Sequence, residues 1–236
     1  MSFYDYFLQS KRSRRHQKFV QMQCKGILHF LHEHGFGKKT THLLEIGLGQ
    51  GDMLQFFRKQ PNVKYFGMDL NHSICKAFNT VPGTNVRASL PQLPFADQSF
   101  DLIYLSHVIE HLGNYANALL FLEEAARCLK PQGQLVVLFP DYISWQEDFF
   151  SIDYSHDLPM TYSRIDRLAN DAGMHIQAAI DYAGGWFGWK GRLFSTLGHF
   201  LPLRLVHAIS PVRFAALRKA RYALHRNWVI LLEKHI

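Results

Sequence analysis

The chain has 236 residues, 47% of them apolar and 14% aromatic, with a formal net charge of +7. That length suits one large domain or one domain with an insertion, and the apolar share supplies a sizeable core, which excludes extended disorder. Three scattered cysteines, Cys24, Cys75 and Cys128, lack redox or metal-ligand spacing, which excludes a disulfide framework and fits a reducing compartment.

The basicity is local. Tyr182 to Leu232 holds eight Lys or Arg and no Asp or Glu, so the rest of the chain is nearly neutral. A protein that coats nucleic acid is therefore not indicated. The N-terminus reads apolar before basic, the reverse of a signal peptide, and no apolar run approaches the ~20 residues of a membrane span. The expectation is a cytoplasmic protein and a single domain over 1–236.

Residues 1–40 are expected to form a helical cap carrying the basic run Lys11, Arg12, Arg14, Arg15 and Lys18. From residue 42 short apolar runs alternate with amphipathic stretches. Strands are predicted at 42–46, 63–68, 85–88, 100–105 and 134–139. Helices are predicted at 52–59, 73–78 and 116–129, the last stopping at Lys130-Pro131-Gln132-Gly133. Beyond Pro140 the regularity weakens. A helix is predicted at 163–172 with Gly173 as its cap, then strands at 175–182 and 228–233. Strands alternating with helices imply a Rossmann-like, doubly wound α/β fold with a mostly parallel seven-stranded sheet. The last two strands are too far apart for an ordinary loop, and 183–226 is read as a basic helical insertion. Ser210-Pro211 suits a helix start there, with Val212, Ala216, Ala220 and Ala223 on one face and Arg218, Lys219, Arg221 and Arg226 mostly on the other.

Glu45-Ile46-Gly47-Leu48-Gly49-Gln50-Gly51 follows a strand and opens a helix. Glycines there permit a tight turn and close approach of backbone to ligand. A dinucleotide loop has the spacing G-x-G-x-x-G. Here the spacing is G-x-G-x-G, and Asp52 stands where the third glycine would be. A carboxylate is unfavourable beside a pyrophosphate, so a ligand lacking phosphate and carrying a positive centre fits better. Asp69 ends the second strand eighteen residues after Gly51, where a carboxylate accepts hydrogen bonds from ribose hydroxyls.

Glu45-x-Gly47-x-Gly49-x-Gly51 resembles motif I of the class I S-adenosylmethionine-dependent methyltransferases. Asp69 resembles their second-strand acid. Leu93-Pro94-Phe95, Asp97, Ser99-Phe100-Asp101 and His107-Val108-Ile109-Glu110-His111-Leu112 are similar to the signature of the small-molecule, type 11-like branch. Leu129-Lys130-Pro131 with Gly133 resembles its turn before strand five. Five motifs in the family's order carry more weight than any one. The resemblance covers residues 40–140 closely and 160–182 loosely. It implies S-adenosyl-L-methionine (SAM) as cofactor. Gly47 to Gly51 would pass close to its amino-acid part, Asp69 would hold the ribose, and Leu70 would lie near the adenine. Ser89 and Leu90 would flank the adenine edge, and Ser106 and His107 would lie under the methionine part. The family usually has Asp where Ser89 stands.

Methyl transfer to a hydroxyl also needs a base within reach. Asp153-Tyr154-Ser155-His156, with Pro159 and Thr161 following, resembles a stretch after strand five in some methyltransferases associated with cell-surface glycans. His156 is therefore a candidate base or substrate ligand, the bland alternative being a loop-fixing hydrogen bond. His111, beside Glu110, is a second candidate, though that pair is often structural in the family. No metal cluster is evident from spacing. The reading is an O-methyltransferase acting on a small or lipid-linked acceptor such as a glycan precursor. Trp186, Phe187, Trp189 and Phe194, interleaved with Lys190 and Arg192 in the insertion, point to an anionic acceptor or to the inner face of an anionic membrane. Nucleic acid is the weaker partner class. The alternatives are a nicotinamide-dependent oxidoreductase and a binding or partner protein that keeps the fold without activity.

Overall fold

The computed structural model describes residues 13–79, 84–200 and 221–235, without the side chains of 199 and 200. Helix α1 (Arg14–Glu33) starts at Ser13, whose hydroxyl accepts the His16 N–H. Cys24, Ile27, Phe30 and Leu31 form its buried stripe at helical spacing. Strand β1 (Thr41–Ile46) follows, then the single-turn α2 (Leu54–Phe57), β2 (Val63–Asp69), α3 (His72–Phe78) and β3 (Asn85–Arg87). Next come β4 (Phe100–Ser106), a 3₁₀ turn (Ile109–His111), α4 (Tyr115–Cys128) and β5 (Leu129–Pro140). Two short helices, α5 (Tyr142–Trp145) and α6 (Glu147–Ile152), precede α7 (Tyr162–Asp171). Strand β6 (Met174–Ala183), β7 (Trp186–Phe187), α8 (Trp189–Phe200) and β8 (Arg226–Lys234) complete the described elements.

The sheet order is β3-β2-β1-β4-β5-β8-β6-β7. Strands β1 to β5 are parallel, whereas β8 runs antiparallel between β5 and β6. Alternate residues feed two cores. Leu43, Leu102, Val136 and Leu231 pack on the face covered by α1. Leu44, Ile103, Leu135 and Ile230 pack on the face covered by α4 and α7. Both faces are dry, so the central strands read as unbroken apolar runs.

The Rossmann-like class holds, but the sheet has eight strands rather than seven. The extra strand is the Trp186–Phe187 hairpin, paired as Tyr182↔Phe187 and Ala183↔Trp186. Gly184 turns it at φ 62°, a conformation side chains rarely adopt. It seats against α1, where Gln23 donates to the Gly184 carbonyl and a Cβ on Gly26 would strike the Phe187 ring. The helix expected at 52–59 contracts to one turn, Leu54–Phe57, and no side chain caps it at Met53. The expected turn at Lys130–Gly133 lies within β5, with Gln132 at φ 61° and a break in register opposite β4.

The helices α5 and α6 carry no clear periodicity in the sequence. Asp141 caps α5 through the Ile143 N–H. The insertion read at 183–226 contains β7 and α8, and Arg221–Leu224 is helical again before β8. Ser210, Pro211, Val212, Ala216, Arg218, Lys219 and Ala220 lie outside the described residues, as do Lys11 and Arg12.

Candidate active site

The order of strands reverses between β1 and β4, the place where open α/β sheets bind ligands at their carboxyl edge. The loop after β1 lies there, and its three glycines have φ of 76°, 50° and 73° at 47, 49 and 51. They differ in what surrounds them. A Cβ on Gly47 would stand 2.4 Å from Val108, and one on Gly51 would stand 2.8 Å from Phe78. A Cβ on Gly49 would meet nothing within 4 Å. Gly49 is thus the glycine turned to open space, where a ligand can approach the backbone.

Carboxylates surround this loop. Glu45 is buried, takes a hydrogen bond from the Tyr65 hydroxyl at 2.7 Å, and has its pKa pushed up to about 8 by burial. The charges of Asp52 and Asp69 push it the same way, against Arg58. Arg58 itself is turned to the Phe78 carbonyl and the Tyr65 ring. Asp69 accepts the Leu48 N–H at 2.9 Å through one oxygen and the Asn71 N–H at 2.8 Å through the other. Burial raises its pKa while these bonds oppose the rise. This setting favours a bound cation and disfavours a pyrophosphate. A sulfonium ligand with a ribose is chemically compatible with this setting.

The remaining expected contacts lie on the same edge. Leu70 follows Asp69 and is 61% exposed. Ser89 is exposed and donates to the neighbouring Leu90 carbonyl, while Leu90 packs partly on the core. Ser106 ends β4. His107 adopts φ 55°, unusual for a side-chain-bearing residue, and its N–H donates to the Leu138 carbonyl. Its Nδ1 lies 3.2 Å from Glu110 Oε1, and its Nε2 lies 3.4 Å from the Tyr182 hydroxyl.

The two candidate bases meet. The His111 and His156 rings stand 4.9 Å apart. His111 Nδ1 faces the Ser155 carbonyl at 2.9 Å, and His156 Nδ1 faces the Phe149 carbonyl at 2.7 Å. The loop bearing His156 is clamped by the Asp157 and Leu158 N–H groups, both donating to the Glu110 carbonyl. Burial lowers the His156 pKa, keeping its ring neutral. Burial opposes ionisation of Glu110, yet the hydrogen bond and charge of His107 and the charge of His111 hold its carboxyl below the ordinary range. Sequence spacing did not reveal this grouping, because Glu110 and His156 lie on separate segments. Sequence reading also missed Tyr182, the partner of His107, for want of any motif around it.

Residues 44–137 match a family model described as a methyltransferase domain. That stretch runs from β1 to β5 and includes the glycine loop and Asp69. The chain shares 29% identity over 120 residues with a phthiotriol/phenolphthiotriol dimycocerosates methyltransferase of Mycobacterium ulcerans, covering 44% of this chain and 42% of the relative. The counterpart in Mycobacterium tuberculosis is 32% identical over 99 residues, covering 39% and 34%. The chain thus spans less than half the length of these curated relatives. A Galdieria sulphuraria structure, provisionally assigned as a sarcosine dimethylglycine methyltransferase, superposes with a TM-score of 0.64 at 19% identity, over 90% of this chain and 85% of that one. The cyclase SpnF superposes with a TM-score of 0.56 at 17% identity, over 84% and 76%. Likeness at such identity describes the fold alone. Residues 44–137 are the stretch whose sequence is similar to a methyltransferase domain.

Proposed function

We propose that this chain is a SAM-dependent methyltransferase acting on an oxygen of a small or lipid-linked acceptor. The observation that carries the reading is the ligand loop itself. Gly49 opens toward free space amid Glu45, Asp52 and Asp69, at the switch point of the sheet.

SAM, when bound, supplies a methyl group on a sulfonium, already activated for transfer. The chain's part is to align the acceptor and exclude water, and such positioning contributes on the order of 7–11 kcal/mol. Asp69 and the 47–51 backbone bind and orient. Glu45, protonated near neutral pH in the free chain, offsets positive charge once a bound cation favours its ionised form. His107, held between Glu110 and Tyr182, fixes the floor of the site at the end of β4. His111 and His156 each use Nδ1 on a backbone carbonyl, so only Nε2 of either ring is open to an acceptor.

A lipid-linked acceptor is supported by the names of the mycobacterial relatives and by the surface of the insertion. Trp189, Leu193 and Leu197 lie one turn apart on α8 and are 70%, 50% and 53% exposed. Trp186 stacks on Phe194 beside them, and Lys190 lies over both Trp186 and Trp189. An apolar stripe with a cation at its border suits a membrane interface. Among the described residues no helix is long and apolar enough to cross a membrane, so contact would be peripheral.

Isothermal titration with SAM and with NAD tests the reading. SAM binding is expected, and Asp69→Ala should weaken it at least about tenfold, the cost of roughly one charge-assisted hydrogen bond. NAD binding without SAM binding would overturn the proposal. Untargeted comparison of methylated metabolites in cells with and without the protein would then identify the acceptor.

A further inference from the structure

Glu110, His111 and His156 each offer one possible ligand atom, and these atoms lie within 4.8 Å of one another. Both imidazoles have a defined tautomer. A backbone carbonyl only accepts, and the Ser155 hydroxyl, 3.1 Å from His111 Nδ1, gives its own proton to Asp153, so the Nδ1 atoms facing Ser155 and Phe149 carry the protons. Each Nε2 is left with its lone pair. Metal-ligating histidines are oriented in this way, through the ring nitrogen that does not bind the metal.

The carboxylate supplies an independent observation. Glu110 is fully buried, and its Oε1 is engaged by His107. Its Oε2 is buried with no hydrogen-bond partner among the described residues. Burying a carboxylate oxygen without a partner is unfavourable, and a cation beside it removes that penalty. The set is also rigid, because backbone hydrogen bonds from Asp157 and Leu158 tie the His156 loop to Glu110 itself.

We propose that Glu110, His111 and His156 bind a divalent first-row transition-metal cation. Two imidazoles and one carboxylate suit zinc, cobalt, manganese or ferrous iron better than magnesium or calcium. Ligands around such an ion stand about 3–4 Å apart, so side-chain shifts on the order of an ångström close the set. Three protein ligands leave positions free for water or substrate. Val108, which a Cβ on Gly47 would strike, precedes Glu110 by two residues on the same segment. An acceptor hydroxyl on the ion would lose its proton more readily, and the two histidines would then serve as ligands rather than as bases. That role rests on the methyl-transfer reading; the cation site does not.

Cobalt(II) titration of the full chain, without an affinity tag and without SAM, tests the site through the visible absorption of the bound ion. One equivalent per chain is expected. His156→Asn keeps a side-chain N–H for the Phe149 carbonyl but removes the ligand nitrogen, and it should weaken cobalt binding by about a hundredfold or more. Glu110→Gln should do the same, and circular dichroism checks that each variant is folded. Absence of a stoichiometric site in the wild-type chain would overturn the proposal, whatever the variants do. Cobalt affinity unchanged in a folded variant would also overturn it, since the signal would then come from other histidines. SAM titration of the same samples separates the two readings. A chain that binds SAM but no cobalt loses only the cation site, and one that binds cobalt but no SAM loses only the methyl-transfer reading.

Discussion

Gly47 and Gly49 share a motif and a backbone conformation, yet replacing them should have opposite consequences. At Gly47 an added methyl meets Val108, so Gly47→Ala should lower the melting temperature sharply. At Gly49 nothing is met, so Gly49→Ala costs only the left-handed strain of about 1–2 kcal/mol while placing a methyl in ligand space. Thermal melts paired with SAM titration should show Gly49→Ala folded and non-binding. Glu45 makes a prediction about pH. Its folded pKa, about 8, exceeds the ordinary carboxylate value, so the folded state holds a proton that the unfolded state has lost. Stability is then greatest below the unfolded pKa and falls as pH rises toward 8. Glu45→Gln should flatten that fall between about pH 5 and pH 8, measured by denaturant unfolding. A bound sulfonium favours the ionised form, so SAM affinity in the wild-type chain should rise over the same interval while that of Glu45→Gln stays level. A level wild-type profile would remove Glu45 from the cation-binding role.

The elements after β5 are held by buried carboxylates. Asp141 caps α5 and accepts from Arg226 at the start of β8. Asp148 in α6 pairs with Arg221 at 2.5 Å and His225 at 2.8 Å. Asp181 in β6 accepts from Arg192 in α8 at 2.9 Å. Three arginines of the basic segment are therefore committed to the body of the protein, and less of its charge is free than composition suggests. Truncating one partner of such a pair leaves a buried charge. Arg226→Met should cost about 3 kcal/mol of unfolding free energy at neutral pH. The deficit should shrink in acid as Asp141, whose pKa burial already raises, takes up a proton. An unchanged denaturation midpoint would show that Asp141 is rehydrated instead.

For the molecule as a whole, the carboxyl edge of the sheet and the exposed stripe of α8 belong to one fold. Binding to anionic vesicles at low salt is expected, with loss as salt screens the charges. Trp189→Ser with Leu193→Ser should weaken that binding without moving SAM affinity. Equal and negligible sedimentation with neutral and anionic vesicles would count against membrane contact.

Strands β1 to β5 and the glycine loop could be read from sequence because their signals are local. Apolar runs, glycine spacing and Asp69 at a strand end all act within a few residues of where they are seen. The eighth strand could not, because a two-residue hairpin has no period and forms only against α1 and β6. Nor could the site behind the loop. His107, His111 and His156 were each visible as candidates, but their roles depend on which nitrogen meets a carbonyl and which carboxylate is buried beside them. Sequence alone determined the fold class and the methyltransferase motifs. Tertiary structure decided that Gly49 opens to free space while Gly47 and Gly51 are packed, that Glu110 joins two histidines, and that much of the late basic charge is spent on buried acids, since each depends on contacts between segments distant along the chain.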